Sequence, residues 1–104
     1  MSLVVKLLRA AEWQAFEAHG VFHGSPDDLR DGYIHLSTPE QVPGTLAKWF
    51  AGEEGVMLAS FEDEAFGEDL RWEPSRGGAL FPHLYRPLQL SEMISASPAP
   101  PSPD

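Results

Sequence analysis

The stretch from Trp72 to Tyr85 constrains the fold and the chemistry of this chain more than any other. It reads Trp-Glu-Pro-Ser-Arg-Gly-Gly-Ala-Leu-Phe-Pro-His-Leu-Tyr. Proline and the glycine pair predict a loop at residues 74–79 between two extended segments, residues 70–73 and 80–88. This segment of fourteen residues contains more carboxylate, guanidinium, imidazole and aromatic groups than the packing of a core requires. The segment therefore predicts a polar site carried by two strands and the loop between them.

Length and composition limit the class of protein. A chain of 104 residues with 42% hydrophobic content is expected to fold as one domain, over residues 1–94. The last ten residues, 95–104, are rich in proline and predict a disordered tail. Because the chain has no cysteine, disulfides, thiolate nucleophiles and cysteine-ligated zinc are excluded.

Charge and hydropathy narrow the expected partners. The formal net charge of −9 and the pI near 4.7 disfavour DNA and anionic membranes, because like charges repel. No apolar run approaches the ~20 residues that span a bilayer. The short apolar run at the N-terminus is interrupted by Lys6, which predicts a strand and not a signal peptide. We expect a cytoplasmic protein whose partner is a small molecule, and its oligomeric state is left open.

Periodicity and turn formers predict the remaining elements. Strands are expected at residues 3–8, 33–36 and 56–61, and a first helix at residues 10–18, ended by Gly20. Residues 23–32 are dense in turn formers and predict a loop, and the acidic residues 62–69 predict a solvated connector. Two early helices followed by strands predict an α+β fold with a small, split, mixed or antiparallel sheet.

The start of the second helix is marked most clearly. Thr38 is the expected N-cap, Pro39 fits the first helical position, and Gln41 completes a capping box. The apolar stripe of this helix is expected to be buried, and it comprises Val42, Leu46, Trp49 and Phe50.

His35 lies inside an apolar, strand-like run. On a strand, Tyr33, His35 and Ser37 share one face, and Ile34 and Leu36 share the other. The polar face either meets solvent or lines a site. Tyrosine and histidine are less usual than lysine, glutamate or threonine on an exposed face, and both interpretations stay open.

The segment around the glycine pair offers groups for an anion. If the strand before it is regular, Trp72 points to the core and Glu73 to the opposite, site-bearing face. Backbone N–H groups at Gly77 and Gly78 can bind an anion, and the Arg76 guanidinium suits a phosphate or carboxylate. The alternative is a surface ion pair between Glu73 and Arg76 beside a turn.

His83 and Tyr85 share a face of the next extended segment. They either line the site or form a half-buried pair that supports the sheet. His19 and His23 have the spacing of metal ligands on a helix, but Gly20 argues against a continuous helix there. No metal ligand is therefore assigned from these residues.

Two motifs carry a resemblance to a known family. The first is Gly24-Ser-x-x-Asp-x-x-Asp-Gly-Tyr-Ile-His-Leu-Ser-Thr38, followed by Gln41-Val42, and the second is Trp72-Glu-x-Ser-Arg-Gly-Gly-x-Leu-Phe-Pro-His-Leu-Tyr85. Residues 4 to 90 resemble the mainly bacterial family called domain of unknown function 952. That family has been likened to the ADP-ribosyltransferase superfamily, which implies a split α+β fold with an NAD-binding cleft.

The resemblance also implies roles for individual residues. His35 resembles the strand histidine that holds a ribose or phosphate, and Glu73 would be the carboxylate that acts on the ribose. The implied catalytic residues are thus His35 and Glu73. The expected ligand-binding residues also include Ser37, Thr38, Arg76, Gly77, Gly78 and His83. Tyr33, Phe81 and Tyr85 are the candidates for the aromatic residue that stacks on nicotinamide in that superfamily. NAD would be a substrate, and no cofactor is assigned.

Three functions follow as hypotheses. The first is a cleft for a nucleotide or phosphorylated ligand, with NAD-using ADP-ribosyl or phosphoribosyl-type transfer as its catalytic form. The second is a non-catalytic ligand-binding or accessory module. The third is a metal-dependent hydrolase that uses His35, His83 and Glu73. NAD turnover would separate the first two, and metal analysis of the purified protein would separate the third.

Overall fold

The structure, a computed structural model, describes residues 2–100 except for the side chain of Arg76. The described helices are α1 (Ala10–His19), α2 (Pro26–Asp31) and α3 (Val42–Trp49). The described strands are β1 (Leu3–Leu8), β2 (Val21–Phe22), β3 (Ile34–His35), β4 (Met57–Glu62), β5 (Leu70–Pro74), β6 (Leu80–Leu84), β7 (Leu88–Gln89) and β8 (Ser95–Pro98). Short 3₁₀ turns cover Pro39–Gln41, Asp63–Asp69, Arg76–Gly78 and Leu90–Glu92. The predicted α+β class is confirmed.

The strands form small antiparallel sheets. One sheet has the order β1-β4-β8, a second has the order β3-β6-β5, and β2 pairs with β7. The two larger sheets meet at Val5 and Ser37, whose backbone N–H groups donate to each other's carbonyls at 2.8 and 2.9 Å. This bridge places the polar face around β3 next to β1.

Strand β1 separates two apolar clusters because its side chains alternate between two faces. Val4 and Leu8 pack into one cluster together with Phe16, and Val5 and Leu7 pack into the other. Lys6 lies on the same face as Val4 and Leu8, and its charged side chain is only 6% exposed. A buried lysine needs a partner, and it finds one in the site described below.

Local sequence rules explain where α1 ends and where α3 begins. Helix α1 ends at Gly20, which adopts φ 77° as a left-handed cap, as expected. Thr38 accepts from the backbone N–H of Gln41, while the Gln41 side chain accepts from the Thr38 N–H. The capping box is therefore confirmed, but its first turn is 3₁₀ and α3 proper begins at Val42.

The loop predicted for residues 23–32 is wrong, because Pro26–Asp31 forms helix α2. Ser25 caps it by accepting from Asp28 N, and the Asp28 side chain accepts from Ser25 N in return. Gly32 closes the helix with φ 86°. These cap residues were readable in the sequence, but a six-residue helix leaves too little apolar periodicity to stand out from a turn-rich segment.

Both tryptophans that were expected in the core lie at the surface. Trp49 is 54% exposed and Trp72 is 40% exposed. The other three residues of the predicted stripe, Val42, Leu46 and Phe50, are buried together as expected. Trp72 lies on β5, which is the edge strand of its sheet and has a neighbour on one side only.

The proline-rich end differs from the prediction in its first part. Ser95–Pro98 forms β8 and pairs with β4 in four positions. Ala99 packs on the second cluster, and its N–H donates to the Val56 carbonyl at 2.8 Å. Residues 101–104 lie outside the described residues. The segment pairs because β4 offers a free edge, which no local pattern reveals.

The acidic connector is also more ordered than expected, because Asp63–Asp69 forms a 3₁₀ segment that buries Phe66. Across residues 2–100, no helix is long and apolar enough to cross a membrane.

Candidate functional site

A cavity of about 300 Å³ opens beside the sheet β3-β6-β5. Side chains from five elements line it, including Lys6 of β1, Asp28 of α2, His35 of β3, Trp49 of α3 and His83 of β6. These residues are far apart in sequence, so the cavity is a product of the tertiary fold.

The polar side chains of the sheet share one face, as the alternation around His35 predicted. His35 lies opposite His83 in the β3–β6 register, and His83 lies opposite Arg71 in the β6–β5 register. Ile34 and Leu36 point the other way and are each 2% exposed. His35 is a lining residue of the cavity, and both of its ring nitrogens lie close to carboxylates.

Asp28 is the centre of a buried polar network. Its carboxylate accepts from Lys6 Nζ at 2.9 Å, from the His35 backbone N–H at 3.0 Å and from the Ser25 N–H at 2.9 Å. The His35 ring nitrogen Nδ1 lies 2.7 Å from the same carboxylate. Burial alone would raise the pKa of Asp28, but the His35 ring, the Lys6 ammonium and the backbone donors outweigh it and hold that pKa far below its ordinary value.

Gly24 makes room for this network. Its φ of +136° suits only glycine, and a Cβ added there would lie 2.9 Å from the Cβ of Asp28. The Gly24-Ser25 pair at the start of the first motif therefore serves the placement of Asp28.

His35 has a second carboxylate at its other ring nitrogen. Nε2 lies 3.0 Å from Asp31 Oδ2, so the ring is held between α2 residues on both sides. The guanidinium of Arg30 hydrogen-bonds Asp31 and lowers the pKa of that carboxyl. The site therefore surrounds His35 with ionised groups.

His83 is held by Glu73. Its Nδ1 lies 2.8 Å from Glu73 Oε1, and the Tyr85 hydroxyl donates to the same oxygen at 2.7 Å. The bond from Tyr85, followed by that from His83, lowers the pKa of Glu73, and the same contact raises the pKa of Tyr85. Glu73 is therefore an ionised acceptor.

Tyr33 packs against both histidines. Its ring stacks on His83 with centroids 4.1 Å apart, and it lies 4.6 Å from His35 and 5.3 Å from Tyr85. Burial, followed by the charges of Asp31, Glu73 and Asp28, raises the pKa of Tyr33. The stack fixes the orientation of the rings on this face.

The lining of the cavity also includes cations and aromatic rings from the last residues of α3 and from the residues that follow β1 and α3. Lys48 Nζ lies 5.5 Å from the Trp49 ring centroid, and the Arg9 guanidinium lies 4.6 Å from the Phe50 ring centroid. Within the part of the chain that the structure describes, Lys48 has no ion-pair partner. An exposed tryptophan and an available ammonium group thus lie side by side at the rim.

The structure brings together about half of the residues predicted for the site. The cavity is lined by His35, Tyr33, Ser37, Phe81 and His83. The lining does not include Glu73, Tyr85, Thr38, Gly77 or Gly78. Glu73 and Tyr85 are connected to it through His83, and Ser75 of the same loop does reach it.

Two further residues predicted for the site, Thr38 and Gly78, have structural partners. Thr38 is engaged in capping, as described above. Gly77 and Gly78 form a turn with φ 68° and 79°, in which the Gly78 N–H donates to the Ser75 carbonyl at 2.9 Å. That N–H is therefore not available for an anion. The Arg76 side chain lies outside the described part, so its predicted role stays a prediction.

Most of the lining residues were not predicted for the site. Those of chemical interest include Lys6, Asp28, Asp31, Lys48 and Trp49. The capping residues Ser25-Pro26 and Asp28 could have revealed α2, and with it two of the carboxylates. Nothing local marks Lys6, because its partner lies 22 positions further along the chain.

The described residues contain no group of three or more His, Asp or Glu side chains arranged to hold a metal ion. The metal-dependent hydrolase hypothesis therefore gains no support from the geometry around His35, His83 and Glu73.

Comparisons with known proteins agree with the resemblance to domain of unknown function 952. No curated protein matches the chain. The crystal structure of protein CC0527 from Caulobacter crescentus is 54% identical, covers 93% of this chain and 85% of its own, and has a TM-score of 0.89. The solution NMR structure of CC0527 has a TM-score of 0.83 at the same identity, covering 94% and 84% of the two chains. The model of the family described as "Protein of unknown function (DUF952)" matches residues 7–96, and the chain therefore belongs to that family.

Proposed function

We propose that this domain binds a small anionic ligand that carries an aromatic ring, such as a mononucleotide, in the cavity beside β3 and β6. The charge distribution supports the proposal. Four of the seven lysines and arginines of the chain line the cavity, against only three of its sixteen acids. A strongly acidic protein that gathers its cations around one concave site favours an anion there.

The rim around α3 supports the aromatic part of the ligand. Trp49 is 54% exposed, although a surface tryptophan is unusual in a small domain. A base can stack on its ring while a phosphate contacts the neighbouring ammonium of Lys48. The volume of about 300 Å³ lies at the lower end of ligand sites and favours a mononucleotide over the larger NAD.

Calorimetric titration of the full chain with AMP, adenosine and inorganic phosphate tests the proposal. AMP should bind more tightly than either fragment, because it uses the ring and the charge together. Lys48→Ala should weaken AMP binding about tenfold or more, since a charge-assisted hydrogen bond contributes ~1.5–3 kcal/mol. Arg86→Ala is the matched control, because Arg86 is a cation outside the cavity lining and is paired with Glu92. No binding of AMP, or equal loss in both variants, would overturn the proposal.

ADP-ribosyl transfer is a narrower second candidate. Its support is the position of His35 on a strand that lines the cavity, as the resemblance implies. Transfer also needs a carboxylate at the ribose, whereas Glu73 contacts His83 and Tyr85 and does not line the cavity. Binding is therefore the better supported function. Release of nicotinamide from NAD by the wild-type protein, and its loss in Glu73→Gln, would favour transfer. If the wild-type protein releases no nicotinamide, binding is the only one of the two functions that remains.

A further inference from the structure

The two histidines that face each other in the site have different neighbours. His35 and His83 lie opposite each other in register, with ring centroids 5.8 Å apart. We propose that they have complementary roles, in which His83 is a neutral base that takes a proton from the ligand and His35 is a fixed imidazolium. The inference rests on the ligand site proposed above and adds a chemical activity to it.

The environment of His83 defines which nitrogen carries the proton. Glu73 is ionised and accepts a hydrogen bond from Tyr85, so it can only accept from His83 as well. Nδ1 of His83 must therefore carry the hydrogen. In the neutral ring, Nε2 then keeps its lone pair, and no described residue is hydrogen-bonded to it.

The position of the ring directs that lone pair. His83 lines the cavity and Glu73 does not, so the Nδ1 edge points away from the cavity and the Nε2 edge points toward it. The ring has little freedom to turn, because Tyr33 stacks on its face at 4.1 Å and the side chain is only 5% exposed. The result is an oriented acceptor in a largely desolvated place.

The environment of His35 has the opposite character. Its Nδ1 lies 2.7 Å from Asp28 Oδ1, and its Nε2 lies 3.0 Å from Asp31 Oδ2. An ionised carboxylate has no hydrogen to donate, so a lone pair on either nitrogen would face a negative oxygen. Only the imidazolium, with hydrogen on both nitrogens, suits both contacts.

The pair can act on a ligand that carries a hydroxyl group close to its anionic group, as a sugar phosphate or a nucleotide does. Nε2 of His83 takes the hydroxyl proton: the O–H bond breaks, the N–H bond forms, and the bonding electrons stay on oxygen. Glu73 stabilises the resulting cation on His83, and the charge of His35 partly offsets the carboxylates of Asp28 and Asp31, which would otherwise repel the negative oxygen. In this scheme Glu73, Asp28 and Asp31 are positioning residues, because they act through the histidine rings.

Long-range ¹H–¹⁵N NMR of the histidine rings tests the proposal in the ligand-free protein at neutral pH. His83→Gln and His35→Gln assign the signals. In the wild-type protein His83 should show a protonated Nδ1 and an unprotonated Nε2, while both nitrogens of His35 should be protonated. Glu73→Ala removes the acceptor of the Nδ1–H group and should move His83 toward the tautomer protonated at Nε2. Glu92→Ala, which removes a carboxylate bound by Arg86, is the matched control and should leave both rings unchanged.

A protonated Nε2 on His83 in the wild-type protein, an unchanged tautomer in Glu73→Ala, or a neutral His35 would overturn the proposal. Because the measurement needs no ligand, its result is independent of the AMP titration. Failure of AMP to bind would count against the ligand site, whereas the NMR pattern counts for or against the histidine pair.

Discussion

The ammonium group of Lys6 lies 2.9 Å from the carboxylate of Asp28, and the two side chains are only 6% and 2% exposed. Lys6 also donates to the backbone carbonyl of His35 at 3.1 Å. Strand β1, helix α2 and strand β3 are thus joined at one buried point. The ion pair holds together the side of the cavity on which His35 lies.

Asp28→Asn should destabilise the protein strongly. The substitution leaves the Lys6 charge buried without its partner, and breaking a buried pair in this way typically costs ~3–5 kcal/mol. Urea unfolding monitored by circular dichroism measures the change. Asp27→Asn is the matched control, because the Asp27–Arg30 pair is exposed and should contribute less than ~1 kcal/mol. The double variant Lys6→Met with Asp28→Asn should recover part of the loss, and equal effects of the two single aspartate variants would contradict the prediction.

Acid should destabilise the wild-type protein more steeply than Asp28→Asn. The folded-state pKa of Asp28 is depressed, so its contribution to stability is fully present above the unfolded-state value of ~3.9 and is lost as the pH falls toward the folded-state value. The free energy of unfolding should therefore decline below about pH 5. Urea titrations at several pH values from 5 to 2.5 measure how the free energy of unfolding changes with pH. Equal slopes for the wild-type protein and Asp28→Asn would show that Asp28 does not cause the loss of stability in acid.

Trp49→Ala should affect ligand binding more than stability. Since Trp49 is half exposed, its truncation should cost less than ~1 kcal/mol, whereas Leu46→Ala on the same helix removes a 2% exposed side chain and should cost ~2–5 kcal/mol. AMP affinity should fall about tenfold in Trp49→Ala, because stacking of a base on an aromatic ring is worth ~1–3 kcal/mol. Thermal unfolding and calorimetry check both parts. If Trp49→Ala destabilises the protein as much as Leu46→Ala does, Trp49 is buried in the core and the prediction is wrong.

Deletion of residues 95–104 should lower the free energy of unfolding by ~2 kcal/mol or more. The deletion removes β8 from the edge of β4 and the packing of Ala99, and each backbone hydrogen bond contributes ~0.5–1.5 kcal/mol net. Deletion of residues 101–104 alone is the control, for which we expect a melting temperature within about two degrees of the wild-type value. Equal melting temperatures for both deletions would mean that β8 adds nothing to stability.

The fold could be predicted from sequence where the cause is local. Alternation around His35 correctly assigned Ile34 and Leu36 to the core, because neighbouring side chains on a strand point in opposite directions whatever the rest of the chain does. The capping box at Thr38 and the left-handed cap at Gly20 were equally readable. Each depends on hydrogen bonds or backbone angles within about four residues.

The candidate site could be predicted only in part. His35 and His83 were recognised because each lies in a motif with other polar side chains, and their strands pair in register. Lys6 and Asp28 were missed, since neither residue alone differs from an ordinary surface charge. Glu73 was recognised as a residue of the site, but its partner is His83 and it does not line the cavity.

By itself, the sequence of this chain determined the class of fold, the faces of its strands, the ends of its main helices and its family. The tertiary structure alone decided that Trp49 lies at the cavity and not in the core, that Ser95–Pro98 pairs with β4, and that Lys6 contacts Asp28. The physical reason is the range of the interactions. Caps and alternation are fixed within one turn or strand, whereas burial, edge pairing and buried charge depend on surfaces that form only when distant segments pack together.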